Sequence, residues 1–200
     1  MGIIMNYYLI GVENKSESIV ANAPADTKLA HELVFEINEE ELPFSLNLFK
    51  VSMTKKGLVE SEDFTESENP WLDYLPNSLV WPLMSIKLKN VIANNLIGNE
   101  GIEWVKAKVY LKNEPRDYFI PRFNKKMDVL NQNKTKYVPG TDQIIKPSFS
   151  SSKISNYSIF HKPTMFWKIT NEIYISEKIK KNIEENGLTG MTFEETSVSA

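Results

Sequence analysis

Cysteine is missing from all 200 residues. With it go disulfides, thiolate nucleophiles, thiolate zinc sites and iron–sulfur clusters. The absence agrees with a reducing compartment, so a cytoplasmic protein is the expectation. Histidine is nearly as scarce: His31 and His161 stand 130 residues apart and make no HxH, HExxH or HxxxH spacing. A zinc site would need carboxylates for most of its ligands, an uncommon set. His161, within Ile159-Phe160-His161-Lys162-Pro163, reads as a partly buried structural ring. The eight glycines are scattered and build no Walker loop, no Gly-x-Gly-x-x-Gly and no Gly-x-Ser-x-Gly elbow. Long apolar runs are absent as well. Ile3 to Val12 is interrupted by Asn6 and has no basic residues before it, too short for a signal sequence or a membrane helix of about 18 residues. The carboxylate runs Glu39-Glu40-Glu41 and Glu184-Glu185 sit in polar stretches and read as solvated surface rather than as a glycosidase pair. No catalytic, cofactor-binding or metal-ligating residue is nominated, and an enzyme is not expected.

What is present is ordinary globular material. Hydrophobic residues at 42% and charged residues at 24% fit a chain that folds on its own core. At this length about 70% of the unfolded surface can be buried. One α+β domain over residues 1–196 is expected, with 1–78 as a candidate N-terminal lobe, 79–195 as the core and 197–200 as a frayed tail. Charge is unevenly spread. From Glu36 to Asp73 ten acids face three bases, a balance of −7; from Glu100 to Asn182 sixteen bases face eight acids, a balance of +8. Such asymmetry either steers a charged partner to one lobe or lets the two lobes attract each other.

Hydrophobic spacing gives the elements. Asn6 to Val12 reads as an opening strand, residues 13–32 as a loop with one helical turn, and Leu33 to Ile37 as a short strand. Phe44 to Met53 alternates as a strand with a bulge near Phe49. Gly57 to Asn69 reads as a mobile polar loop, and Pro70 to Pro76 as an irregular aromatic turn. Ser85 caps a helix over 86–95, whose buried stripe is Met84, Leu88, Val91, Ile92 and Leu96. Ile102 to Leu111 alternates as a strand, with Val105, Ala107 and Val109 inward and Lys106, Lys108 and Tyr110 outward. Tyr118 to Phe123 is another strand, where Pro121 demands an edge or bulge. Glu172 to Ile175 leads to Ser176 as the cap of a helix over 177–185, which Gly187 ends in a left-handed turn with Leu188 behind it. Leu188 to Phe193 closes the fold. The two strand–Ser–helix units match at an offset of 91 residues through Ser85/Ser176, Lys87/Lys178, Lys89/Lys180, Ile92/Ile183 and Asn95/Asn186. Together these units predict a mixed or mainly antiparallel sheet with two principal amphipathic helices, anchored by Trp71, Trp81, Trp104 and Trp167.

Bases interleave with rings at Lys106, Lys108, Tyr110, Lys112, Arg116, Tyr118, Phe119, Arg122 and Phe123, a texture that nucleic-acid binders use. The rings fall at strand spacing, however, and a pI near 5.6 is far from the basic profile of such domains. Nucleic acid is not the expected partner.

The block Tyr118-Phe119-Ile120-Pro121-Arg122-Phe123 through Asp128-Val129-Leu130-Asn131, then Ile159-Phe160, then Ser176-Glu177-Lys178-Ile179-Lys180 and Leu188-Thr189-Gly190-Met191-Thr192-Phe193, follow one another in a characteristic order. Residues 79–195 resemble a bacterial family of immunity proteins of polymorphic toxin systems, formerly catalogued as a domain of unknown function. Asn131 stands where that pattern has a second Asp, and Pro121 where it has an aliphatic residue or Asn. The resemblance implies a small cytosolic protein that binds and neutralises a cognate toxin, with no cofactor and no membrane. Many such toxins are nucleases with basic grooves, so Glu60, Glu62, Asp63, Glu66 and Glu68 are the candidate partner-binding residues. A generic interaction module of unknown partner is the alternative, and an unrecognised enzyme the third reading. Oligomeric state is not legible.

Overall fold

The structure is a computed structural model that describes residues 6–13, 17–55, 57–65 and 69–199. Its elements in chain order are β1 (Tyr7–Val12), β2 (Glu17–Asn22), α1 (Ala30–Glu36), β3 (Leu46–Thr54), β4 (Gly57–Ser61), β5 (Met84–Ser85), α2 (Ile86–Ala93), β6 (Ile102–Leu111) and β7 (Glu114–Phe123). There follow β8 (Lys136–Tyr137), β9 (Ile144–Lys146), β10 (Phe149–Ser150), α3 (Ser151–Ile154), β11 (Ile159–His161), β12 (Ile173–Ser176), α4 (Glu177–Glu185), β13 (Met191–Glu195) and β14 (Val198–Ser199). The class is α+β, as expected. One sheet runs β11-β12-β1-β13; a second runs β2-β3-β6-β7-β5, with β4 paired to β3. Pairing is mostly antiparallel, with parallel contacts between β3 and β6 and between β10 and β14.

Strands from the first 78 residues share both sheets with later ones. β1 lies between β12 and β13, and β3 joins β6. Two apolar clusters form the core, and the first takes in Met84 of β5 and Phe123 of β7 as well as the β11-β12-β1-β13 sheet. Tyr7, Ile10, Leu88, Ile92, Phe160, Ile173, Ile179 and Ile183 belong to one; Leu33, Leu46, Leu48, Trp81, Val105, Val109 and Tyr118 belong to the other. Trp81 is buried, whereas Trp71, Trp104 and Trp167 are half-buried against a cluster.

Several elements differ from their sequence reading. Residues 13–32, read as a loop with one helical turn, hold the strand β2 and end in the start of α1. Leu33 to Ile37 is not a strand: Leu33, Val34 and Ile37 are buried at helical spacing, and Glu32 closes the first turn by accepting the Leu29 N–H at 3.2 Å. A five-residue apolar run does not distinguish the two periods. Four helices occur among the described residues; α2 and α4, at the positions read as helical, are the longer pair, and α1 and α3 are additional. The β2–β3 ladder passes Phe49 opposite Val20 with no bulge. Residues 57–61 form β4 instead of a mobile loop, and Val198 and Ser199 pair with β10 instead of fraying.

Pro121 lies opposite Trp104. Phe123, two residues on, sends its N–H outward to Lys168 O at 2.8 Å, so the donor that Pro121 lacks would have pointed away from β6. That is how a proline sits inside a long strand. The two helix entries differ. Ser85 Oγ accepts the Leu88 N–H at 3.2 Å. Ser176 makes no side-chain cap; instead the Glu177 N–H finds Asn6 O at 3.0 Å. At its far end α4 closes as read: Gly187 has φ 61, the Leu188 N–H reaches Ile183 O at 3.2 Å and the Gly187 N–H reaches Glu184 O at 3.0 Å. That is the Schellman pattern.

The aromatic turn before α2 joins both sheets. Asp73 Oδ1 accepts from Ser85 Oγ at 2.6 Å, and Asp73 Oδ2 accepts from Thr189 N at 3.0 Å and Thr189 Oγ1 at 3.3 Å. The backbone adds Tyr74 N–H to Thr189 O at 3.0 Å and Ser85 N–H to Asp73 O at 2.8 Å. Gly190, at φ 89, leaves no room for a side chain, since a Cβ there would collide with Tyr74 O and the Leu72 side chain. Asp73→Ala should therefore cost about 1.5–3 kcal/mol, the range for hydrogen bonds to a charged group, in urea melts followed by tryptophan fluorescence.

Candidate functional site: an apolar face around Val80

Leu79 and Trp81 are buried, so the residue between them is pushed outward. Asn77 holds the loop: its Oδ1 accepts the Trp81 N–H at 3.2 Å, and its Nδ2 donates to Trp81 O at 2.7 Å and Leu75 O at 3.2 Å. Val80 N–H closes onto Asn77 O at 3.0 Å. The outcome is unusual for a β-branched residue: Val80 has φ 56, and the residue is 64% exposed. Left-handed backbone costs an L residue about 1–2 kcal/mol, and a largely exposed side chain recovers little of it by packing within the chain.

Val80 stands where two surface depressions meet. One, of about 300 Å³, is lined by His31, Val34, Val80, Trp81 and Phe166. The other, of about 260 Å³, is lined by Val12, Tyr74, Pro76, Val80 and Trp81. Phe166 extends the face: its ring centroid lies 6.0 Å from those of His31 and Phe35, and with Met165 it borders a further depression of about 730 Å³. Val12, Phe35, Val80, Met165 and Phe166 are all exposed. An apolar surface gathered from four chain segments differs from scattered exposed residues, which need no explanation. Sequence reasoning missed it. Phe35 reads as strand interior, and nothing in Ser78-Leu79-Val80-Trp81 announces a positive φ.

The acids nominated from the sequence lie elsewhere. Glu60 is on β4, and its Oε1 accepts from Asn22 Nδ2 at 2.9 Å. Glu62 and Asp63 follow β4 and are exposed; Asp63 is 4.0 Å from Lys112. Glu66 and Glu68 fall outside the described residues. β4 pairs β3 on the side away from β2, whereas the Val80 loop joins β2, Ala21 N–H donating to Pro76 O at 2.8 Å. None of these acids, among the described residues, lines the depressions around Val80, but Glu60, through Asn22, sits beside the β2 residues Ala21 and Ala23 that hold the Val80 loop.

The basic strands are largely neutralised. Lys106 and Lys108 lie 3.1 and 3.6 Å from Asp117, Arg116 lies 3.0 Å from Glu114, and Arg122 lies 2.7 Å from Glu103. Most of this pairing is within one lobe rather than between lobes. Of the interleaved rings, Tyr118 and Phe123 are buried and offer nothing for base stacking, while Tyr110 and Phe119 are half-buried.

His161 is fully buried. Phe123 meets it edge-on at 4.6 Å and Trp167 stacks at 5.7 Å. Nδ1 lies 3.0 Å from Lys162 O and Nε2 lies 3.2 Å from Lys125 O. Two carbonyls would suit an imidazolium, but loss of solvent outweighs them and lowers the pKa below its ordinary 6.5. Nothing here resembles a ligand set: no group of three or more His, Asp or Glu able to hold a metal occurs among the described residues. Among the same residues no helix is long and apolar enough to cross a membrane. Glu100 is buried as well, its carboxylate accepting from the N–H groups of Ile97, Gly98 and Ser158 at 3.1, 2.9 and 2.9 Å. It fixes the turn after α2 to the start of β11.

A scan against protein-family models and a search of curated proteins found no match to this chain.

Two measurements check these assignments. Because folded His161 binds its proton more weakly than the unfolded chain does, acid favours unfolding. Stability should fall as pH drops below 6.5 and level off once the folded ring itself is protonated. His161→Gln should flatten that slope when urea midpoints of the two proteins are compared across the window. Val80→Asn, a residue that tolerates the left-handed region, should raise stability by about 0.5–1 kcal/mol in the same melts.

Proposed function

We propose that the chain is a cytoplasmic immunity protein, which acts by binding and neutralising a cognate bacterial toxin domain rather than by making or breaking bonds. The observation that carries a binding role is the apolar face around Val80, with a β-branched residue held in left-handed backbone at its centre and facing solvent. Strained residues of this kind persist where the surrounding fold over-determines them, and they cluster at ligand clamps. Aromatic and aliphatic anchors ringed by polar groups are the usual energetic centre of a protein interface. Here Phe35, Phe166 and Val80 are the anchors, with His31, Asn171 and Glu172 around them. The identity of the partner class comes from the resemblance of residues 79–195 to toxin-immunity proteins.

The acids Glu60, Glu62, Asp63, Glu66 and Glu68 contribute at longer range. Charges outside the central contact speed encounter more than they strengthen the final complex. The experiment is to express the C-terminal domain of a toxin encoded beside this chain, measure its affinity, and score growth of cells producing both. Wild-type protein should bind and restore growth. Phe35→Asp and Phe166→Asp should each weaken binding about 10–100-fold. Neutralising the five acids should lower the association rate and its salt dependence while leaving dissociation unchanged. Tight binding that survives both Asp substitutions would remove the apolar face from the reading; failure of wild type to bind would remove the reading itself.

A further inference from the structure

The edge of β4 away from β3 is a second surface without a described partner. β4 pairs only with β3 among the described residues, so one row of its backbone donors and acceptors is uncommitted. Successive side chains of a strand point to opposite faces. Leu58 is 69% exposed and Val59 46% exposed, so neither face of this strand is covered. Exposed apolar edges are ready templates for further strand pairing, and folded proteins ordinarily protect them.

The sequence of the arm selects the occupant. Around Val59 the chain reads Lys55, Gly57-Leu58-Val59-Glu60-Ser61 and Asp63, with basic charge before the strand and acidic charge after it. An antiparallel strand of the same sequence, centred on the same valine, sets Gly57 opposite Ser61 and Leu58 opposite Glu60. It also carries Lys55 toward Asp63. Charge therefore complements under reversal of direction, which is the property an isologous two-fold contact needs. A basic partner strand would leave Lys55 opposed to like charge; a second copy does not.

We propose that this chain self-associates through β4, two copies joining their β2-β3-β4 ribbons antiparallel about a two-fold axis through Val59. The two Val59 side chains meet across the axis, and the two Leu58 side chains approach on the diagonal of the opposite face, within the reach of long side chains. Beyond Ser61 the chain leaves the ladder, since the Asp63 N–H turns back to Ser61 Oγ at 3.0 Å. Lys55 and Asp63 thus meet through their side chains rather than as a ladder pair. Asp63 is available for this: its one described ion pair, at 4.0 Å to Lys112, leaves its side chain 94% exposed. A contact built from five-residue strands is below the usual size of a permanent interface. The dimer is accordingly weak and reversible, with a dissociation constant above about 1 μM.

Sedimentation velocity of the full chain from low-micromolar to near-millimolar concentration tests this. Wild type should pass from monomer to dimer, and added salt should shift the balance toward monomer. Val59→Lys and Val59→Glu each place like charges face to face on the axis and should weaken the dimer about tenfold or more. An equimolar mixture of the two variants should recover it as a heterodimer. Ile145→Lys, at another exposed apolar position, should leave association unchanged, and far-UV circular dichroism confirms that each variant is folded. Wild type that stays monomeric, a Val59→Lys protein that dimerises normally, or folded variants whose mixture stays monomeric would each overturn the proposal. None of these outcomes depends on toxin binding, which is scored independently by the Phe35 and Phe166 substitutions, both outside β4.

Discussion

The carboxylate of Asp73 is the constraint on which the arrangement of the two sheets depends. It accepts from the hydroxyl of Ser85, which in turn accepts the Leu88 N–H at the first turn of α2. Its other oxygen holds Thr189, between the end of α4 and β13. One side chain therefore ties the element that opens α2 to the return strand of the other sheet. The capping serine cannot be considered alone, because its hydroxyl is both acceptor and donor in a chain of hydrogen bonds that ends on a charge. Such charge-assisted bonds are the stronger kind. This also explains why a segment bounded by Pro70 and Pro76 keeps an irregular path: its backbone groups are committed to Thr189, Ser85 and Leu83 instead of a regular ladder.

The same economy recurs at the other buried polar groups. Tyr7 opens β1, and its hydroxyl lies 2.8 Å from Ile154 O and 2.9 Å from Tyr157 O, closing the turn around α3. Burial, and then the negative charge of Glu100, push its pKa up to about 12, so the proton it shares is firmly held. Glu100 takes three backbone N–H groups, and His161 faces two carbonyls. All three bind main chain across long sequence separations. They specify how loops dock on a core that apolar contact alone would leave less defined. Such groups are costly to unpair, and no unsatisfied buried side-chain polar atom occurs among the described residues.

How much of this was legible follows from where the controlling information lies. α2, α4, β6 and the Gly187 ending were readable because their determinants are local: a cap, a stripe at helical spacing, alternation, a glycine free to turn left-handed. α1 was misread because Leu33-Val34-Phe35 supports either period, and Glu32 closing on Leu29 is a subtler signal than Ser85. β2 was missed because Ile19-Val20-Ala21 is brief and flanked by polar residues; its strand state is imposed by β3, which it pairs along its whole length. The acids at Glu60, Glu62 and Asp63 were visible as charge, but that a strand lay under Glu60 was not. The Val80 face could not have been found by inspection. Its residues come from positions 12, 35, 80 and 165–166, and only the folded arrangement makes them neighbours.

The apolar face and the β4 edge share a physical character that argues for interaction surfaces over accidents of folding. Each is a local liability that a nearby change could remove at no structural cost. Asn at position 80 would relieve backbone strain, and a charged residue at position 58 or 59 would guard an edge on which Leu58 and Val59 touch little. Backbone strain at Val80 and apolar exposure at Leu58 and Val59 are both costs that contacts with a second molecule would offset. The two differ in symmetry. The Val80 face is assembled from unrelated segments with no internal reversal, as suits a dissimilar partner. The β4 arm is complementary to its own reverse, as suits a copy of itself.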